Sequence, residues 1–287
     1  MNVKKLFKLA SIFQKYSQNV DAWANQIMVQ GFQQAMGRAP TQAELQLAQA
    51  IAKLETGYGR SWKGEGSSSH NWGAITTSKG KGFSHKDSAP GTKEHPGTSY
   101  TIDFRIYGND VEGAADVVRQ IFKSGRKQHK VTPSRQLPDG PEVNGPNRGE
   151  LCLKAAAEGD VMTFSAAMYH TFYYGGFGNT FKERIETHAK AVERLVNQIA
   201  SNTGKAPAVS IKTDNVLPVT TDTAYLDELH KMLAKSGNAP VENPKVTPVQ
   251  DETPAAQYLT PAKENNDIAG IDNDIAGIDN VITELWS

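Results

Sequence analysis

The chain has 287 residues, with 31 Lys and Arg against 31 Asp and Glu, one Cys and 38% hydrophobic residues. This length allows one large or two ordinary domains around a sizeable core. A single cysteine excludes an intramolecular disulfide framework and a cysteine-built zinc site. No apolar run approaches the roughly 18 residues of a membrane span, so a soluble protein without stable membrane insertion is expected.

The opening MNVKKLFKLASIF imitates a signal peptide, but Lys8 interrupts the apolar stretch and no small-residue cleavage site follows. The segment therefore reads as unprocessed. Val3, Leu6, Phe7, Ala10 and Phe13 fall at helical spacing among lysines. They predict an amphipathic helix over 1–19 that docks on its own domain, with a membrane or partner surface as the alternative. A second helix is expected over Asp21–Met36, stopping at Gly37.

The next helix is the informative one. Pro40-Thr41-Gln42-Ala43-Glu44 is a capping-box start. Leu47, Ala48, Ile51 and Leu54 form its apolar stripe, and Gly57 and Gly59 end it. Glu55 lies four residues after Ile51, so it points to the buried side. Burial and the negative end of the helix dipole both raise the pKa of such a carboxyl. Those conditions suit a general acid. The plainer alternative is an ion pair with Lys53 or Arg60 on a solvated rim.

A Gly/Ser-rich passage follows, carrying Trp62, His70, Asn71 and Trp72, residue types that a sugar-binding groove uses. Residues 81–98 are turn-rich and hold Asp87 and Glu94. Tyr100–Tyr107 alternates, with Ile102, Phe104 and Ile106 on the face expected to be buried. A helix over Val111–Lys123 comes next, then a basic, Pro-rich stretch at 126–150. Cys152 reads as a buried small hydrophobe. Thr180 and Glu183 open a last helix with Phe181, Ile185, Val192, Leu195, Val196 and Ile199 inside, and His188 is expected to pack in its core. His85, Asp87 and His95 lack a further well-placed ligand for zinc, so no metal or cofactor is expected.

From Gly204 onward the chain carries six Lys, no Arg and thirteen Asp and Glu. That leaves 25 basic and 18 acidic residues before it. Such a Pro-rich segment is expected to be a largely disordered tail. It ends in a repeat, NDIAGID at 266–272 and again at 273–279, that reads as a solvated tail or a docking peptide. The basic remainder suits an anionic polymer, whether cell-wall glycan or nucleic acid. No zinc-finger, RNA-binding or Walker motif supports nucleic acid.

The stretch LETGYGRSW…HNWGAI…TKEHPGTSYTIDFRIYGNDVEGAADVVRQI resembles the lysozyme-like peptidoglycan hydrolases, and within them the N-acetylglucosaminidases of glycoside hydrolase family 73. Their pattern appears here as Glu55, Gly57 and Gly59; Asn71, Gly73 and Ile75, shifted by one residue; Thr92 and Glu94; and Phe104-Arg105-Ile106-Tyr107. YHTFYYGGF at 169–177 matches a later tyrosine-rich turn.

The resemblance covers roughly residues 40–200. It implies an α+β, mostly α, lysozyme-like domain over 20–202, with a β lobe at about 62–107 and a tail over 203–287. By the same resemblance Glu55 protonates a β-1,4-glycosidic oxygen of peptidoglycan, and Glu94 activates water or stabilises the transition state. Asp87 and Asp103 are rivals for that second role. Asn71, Trp72, Tyr107, Tyr173 and Tyr174 are its substrate-binding candidates, with Tyr173 or Tyr174 placed to hold an N-acetyl group.

Two departures stand out. His-Asn-Trp-Gly-Ala-Ile replaces the usual Asn-Leu-Phe-Gly-Ile-type string. The insertion at 126–150 suggests a loop over the groove or a contact with anionic wall polymer. A muramidase or lytic transglycosylase is the nearest alternative, and a non-catalytic virion or wall-binding protein the more distant one. A phage setting is expected, in the virion or released to the wall. The N-terminal helix and the tail would then be attachment segments for virion or tail proteins.

Overall fold

The computed structural model describes residues 3–60, 69–88 and 99–212, with side chains described for 18, 20–60, 69–85 and 101–212. The chain divides into two compact units, Gln18–Lys235 and a second formed by Met1–Ser17 with Ser236–Ser287. Every contact below lies within the first. Trp62, Glu94, His95 and the NDIAGID repeat lie outside the described residues, as do the side chains of Asp87 and of the apolar stripe at 3–13.

Helix α1 (Val3–Met36) is one helix where the apolar pattern predicted two. Ser17-Gln18-Asn19-Val20 contains neither Gly nor Pro, so nothing interrupts the hydrogen-bond ladder there. α1 buries Ala24, Met28 and Phe32, spaced by four along one face.

Helix α2 (Gln42–Thr56) carries the expected capping box between Thr41 and Glu44. Arg38 adds two bonds to Glu44, at 2.8 and 2.5 Å. Its end is also as expected, with Gly57 at φ 56° and its N–H on the Ala52 and Lys53 carbonyls. The burial differs from a single stripe, because residues 44–52 are all buried. Gln46 and Gln49 are inside because both are satisfied. Gln49 donates to the Asp21 carbonyl, while Gln46 binds the Ala206 carbonyl and the Ala208 N–H. Leu54, expected inside, is exposed. α2 is thus the central helix, wrapped by the others.

Strands β1 (Phe83–Ser88) and β2 (Ser99–Phe104) pair antiparallel, with Phe83 opposite Phe104 and His85 opposite Ile102. β2 stops at Phe104, so Ile106 is exposed and does not continue the buried face. Helix α3 (Asp110–Phe122) starts on an Asn109 cap and buries Ala114, Val117, Val118, Ile121 and Phe122 as its pattern predicts. At Gly113 a Cβ would stand 1.8 Å from the His70 carbonyl oxygen, so only glycine lets the 69–75 loop rest on this helix.

The insertion folds on itself through a short antiparallel pair, β3 (Gln128–His129) with β4 (Glu142–Val143). Its ends close where the Arg148 N–H meets the Arg126 carbonyl and the Gly149 N–H meets that of Ser124. Helices α4 (Arg148–Glu158), α5 (Val161–His170) and α6 (Phe181–Asn202) complete the α+β, mostly α, fold. α6 has the expected Thr180–Glu183 box and core face, with His188 packed inside.

The packed chain runs past 202. Val209 is buried, and Ser210 pairs with the Gly159–Val161 backbone. Among the described residues no helix is long and apolar enough to cross a membrane.

One buried carboxylate ties the helices together. Asp21 of α1, fully buried, accepts from Lys53 Nζ at 2.8 Å, Tyr58 Oη at 2.7 Å and Asn202 Nδ2 at 2.6 Å. Those donors come from α2, the turn after it, and the end of α6. Removing one partner of a buried ion pair typically destabilises by about 3–5 kcal/mol. Asp21→Ala is expected to lose that much in urea unfolding, with a midpoint well below the wild type.

Candidate active site

Glu55 occupies the last turn of α2, one residue before the buried Thr56. Thr56 Oγ1 accepts from the Gly59 N–H and donates to the Trp72 carbonyl, which fixes the turn beneath the acid. The side chain is half-buried but enclosed by protein, and the lost solvation pushes its pKa up to about 7. The helix C-terminus acts in the same direction.

The ion pair weighed from sequence does not form. Lys53 is held by Asp21, and the Arg60 guanidinium stacks on Trp23 at 4.4 Å. Among the described residues Glu55 has neither hydrogen-bond nor ion-pair partner. Among those residues it is a carboxyl with no countercharge, its pKa raised to about 7 by burial.

Tyr173 lies within electrostatic reach of this acid. Burial is the main force raising its phenol pKa, and the Glu55 charge is next. The hydroxyl is buried without a hydrogen-bond partner among the described residues. Beneath the ring, the Arg148 guanidinium carbon lies 5.1 Å from its centre. Arg148 is itself buried and donates to Thr171 Oγ1 at 2.7 Å, the Thr171 carbonyl at 2.6 Å and the Gln120 carbonyl at 3.0 Å. Burial draws this guanidinium down to about 10, so it remains a cation at neutral pH. No carboxylate pairs with it among the described residues.

The other expected binding residues are placed differently. Tyr174 is structural: its hydroxyl donates to the Ser165 carbonyl and its ring stacks on His188 at 3.9 Å. Asn71 is fully buried, its amide bonded to the Ile75 and Arg105 carbonyls and its oxygen to the Ile75 N–H. Trp72 is fully buried too, donating to Asp110 and packed between Trp23 and Tyr58. Neither offers a face to solvent; the Trp72 carbonyl holds Thr56, the residue after Glu55. The Gly/Ser-rich passage suggested an open aromatic patch, and Gly113 instead lets that loop sink onto α3.

Tyr107 is half-buried and donates to Asp116 at 2.5 Å, where Arg105 Nη1 also binds at 2.7 Å. Burial, then this bond to Asp116, holds its phenol well above the usual range. Asp103, a rival for the second carboxylate, accepts from Ser84 Oγ and the Gly80 N–H. Those bonds hold it below the usual carboxylate range. It pins the 76–82 loop to β2. Asp116, whose charge also reaches Tyr173, escaped the sequence reading. Its signal was a lone acid within the apolar run of α3. Arg148 escaped as well, since nothing in its local pattern marks a buried arginine.

Backbone strain gathers around these groups. Tyr58, His70, Ala74, Gln136 and Phe172 are the non-glycine residues at positive φ among the described residues. Tyr58 follows Glu55, His70 and Ala74 flank Asn71–Trp72, and Phe172 precedes Tyr173. Each such residue carries a strain of order 1–3 kcal/mol.

The raised Glu55 pKa makes stability depend on pH with a definite sign. The native state holds the proton more tightly than the unfolded chain, so this contribution is complete below the unfolded pKa and is lost as pH rises through about 7. Glu55→Gln is expected to unfold at higher urea than wild type at pH 8, by about 1–3 kcal/mol. The two should converge near pH 4. Equal midpoints at both pH values would show that the acid is not buried against its charge.

No family model matches the chain, and no curated protein matches it in sequence. Among solved structures it is similar to the catalytic domain of the autolysin Auto from Listeria monocytogenes. That match has 14% identity over 71% of this chain and 97% of that one, with a TM-score of 0.40. A peptidoglycan hydrolase mutant from Sphingomonas sp. A1 is similar at 18% identity, 66% and 99% coverage, and a TM-score of 0.37. Likenesses this distant carry no weight beyond the geometry above.

Proposed function

We propose that this chain is a peptidoglycan hydrolase that cleaves a β-1,4-glycosidic bond of the wall glycan, with Glu55 as general acid. The observation that carries the reading is Glu55 itself: a carboxyl on the central helix, stripped of both neighbouring cations and poised at about 7. A glycosidic oxygen is a poor leaving group until protonated, and an acid with this pKa supplies that proton at neutral pH. The proton passes from the Glu55 carboxyl to the leaving oxygen as the bond to the sugar carbon breaks, leaving Glu55 as carboxylate. Tyr173, with its unpartnered hydroxyl, binds the substrate there, and an N-acetyl group is the acceptor it suits.

The finer reading is an N-acetylglucosaminidase used by a phage. It is supported by the sequence pattern that includes Glu94, which we assign as the second carboxylate. The phage setting, in the virion or after release to the wall, is supported by the amphipathic N-terminal pattern and the acidic repeat-bearing tail. A lytic transglycosylase is the second reading, favoured by one observation. Among the described residues the buried carboxylates Asp21, Asp103 and Asp116 are already engaged by donors. Such an enzyme works with a single acid.

Digestion of purified peptidoglycan, with mass spectrometry of borohydride-reduced products, separates these readings. The wild type is expected to release reduced N-acetylglucosamine ends. Glu55→Gln is expected to lose about 10²–10⁴-fold of that activity, the usual contribution of a general acid. Anhydro-muramic products would move the enzyme to the transglycosylases, and products undiminished in Glu55→Gln would remove Glu55 from the chemistry. The wild-type rate is also expected to fall as pH rises through about 7, where Glu55 gives up its proton.

A further inference from the structure

The turn between α5 and α6 combines three properties that packing alone does not account for. Phe172 adopts φ +62°, a conformation unfavourable for a bulky L residue. Its ring is nevertheless 49% exposed, so the strained residue returns little by burial. And the backbone on both sides of it is locked.

Thr171 is held through its hydroxyl and its carbonyl by Arg148, and its own hydroxyl reaches the Ala167 carbonyl. The Phe172 N–H binds the Tyr169 carbonyl, and the Tyr173 N–H that of Met168. Arg184 grips the far end of the turn through the Gly175 and Gly178 carbonyls at 2.7 and 3.1 Å. The insertion braces the remaining side, where the Gln136 carbonyl accepts from the Tyr169 hydroxyl and its side-chain oxygen from the Phe181 N–H. The insertion therefore packs against this turn.

A rigid backbone that keeps a strained aromatic ring in solvent is a preorganised binding surface. Its chemistry is set by the next residue. Tyr173 carries a hydroxyl without a hydrogen-bond partner among the described residues and feels the Glu55 charge, while Phe172 shows a flat apolar face. A pyranose ring matches that pair, with C–H bonds on one face and hydroxyl and acetamido groups at its edge.

We propose that Phe172 is an aromatic platform on which a sugar ring of the glycan strand stacks, next to the bond that Glu55 protonates. This deepens the hydrolase reading and rests on it. The strain is held by Arg148 from within the fold, so the ring's position does not depend on substrate. Replacing the ring should therefore weaken binding without weakening the fold. Glycine at 172 accepts the positive φ freely, so stability is expected to stay level or rise.

The test uses the full-length chain carrying Glu55→Gln, which binds without turnover. Two probes are titrated by calorimetry: the β-1,4 tetramer of N-acetylglucosamine and a tetrasaccharide alternating N-acetylglucosamine with N-acetylmuramic acid. Adding Phe172→Gly is expected to weaken the tighter-binding probe about five- to tenfold, the worth of an aromatic contact. Phe172→Trp is expected to restore affinity to within about twofold of the parent, since a larger flat face serves the same stacking. The urea midpoint of Phe172→Gly is expected at or above that of the parent.

Equal affinity for Phe172→Gly and parent would overturn the platform. So would a loss of affinity accompanied by a lower unfolding midpoint, or failure of the parent to bind either probe. Peptidoglycan digestion by the wild type and Glu55→Gln reports on the hydrolase reading separately, so failure of the platform is distinguishable from failure of that reading.

Discussion

The buried carboxylate of Asp21 sets the conditions for everything at the candidate site. It takes the Lys53 ammonium with both oxygens, the Tyr58 hydroxyl and the Asn202 amide, joining α1 to α2 and to the end of α6. Lys53 and Arg60 are the cations flanking Glu55 in sequence, and either would have lowered its pKa by pairing with it. Asp21 removes the first, and the Trp23 ring, two residues along the same helix, removes the second. Among the described residues Glu55 is left without a countercharge because α1 has claimed its neighbours. Burial then dominates its proton affinity.

Burial acts oppositely on Glu55 and Arg148. Glu55 answers desolvation by keeping its proton, which a carboxyl does at modest expense. Arg148 cannot answer that way, since even drawn down to about 10 it stays charged at neutral pH. It is stabilised by three bonds to uncharged oxygens and by the face of Tyr173. The cation is thereby committed to holding Thr171, and the hydroxyl of the phenol above it has no hydrogen-bond partner among the described residues.

Much of this was legible in the sequence where local rules decide. The capping boxes at Thr41 and Thr180, the Gly57 stop, the α3 and α6 core faces and the buried-side placement of Glu55 follow from spacing and termini. What was not legible depends on distant packing. Trp72 and Asn71 look like groove residues in a Gly/Ser-rich loop, yet a missing Cβ at Gly113 lets that loop sink and bury them. Ile106 continues an alternating pattern beyond the point where its strand has a partner. The choice between Tyr173 and Tyr174 turned on which hydroxyl the Ser165 carbonyl captures, a contact between residues nine apart on a helix and the turn after it. Arg148 lies at the end of a basic insertion, where composition suggests a solvated charge, and only the fold turns it inward.

Among the described groups whose pKa is displaced, Glu55 is the one that titrates near neutrality, at about 7. Tyr107 and Tyr173 are held above the usual phenol range, and burial pushes the Cys152 thiol up to about 12. Desolvation draws His188 down to about 4, so it stays uncharged behind Tyr174. Each of these groups thus keeps one charge state across the range in which Glu55 exchanges its proton. The strained residues Tyr58, His70, Ala74 and Phe172 lie on the same segments, while the regular helices that hold them are capped and closely packed. Stability is concentrated in α2 and the helices wrapped around it, and that surplus lets the acid, the free phenol and the strained turn persist at one end of the central helix.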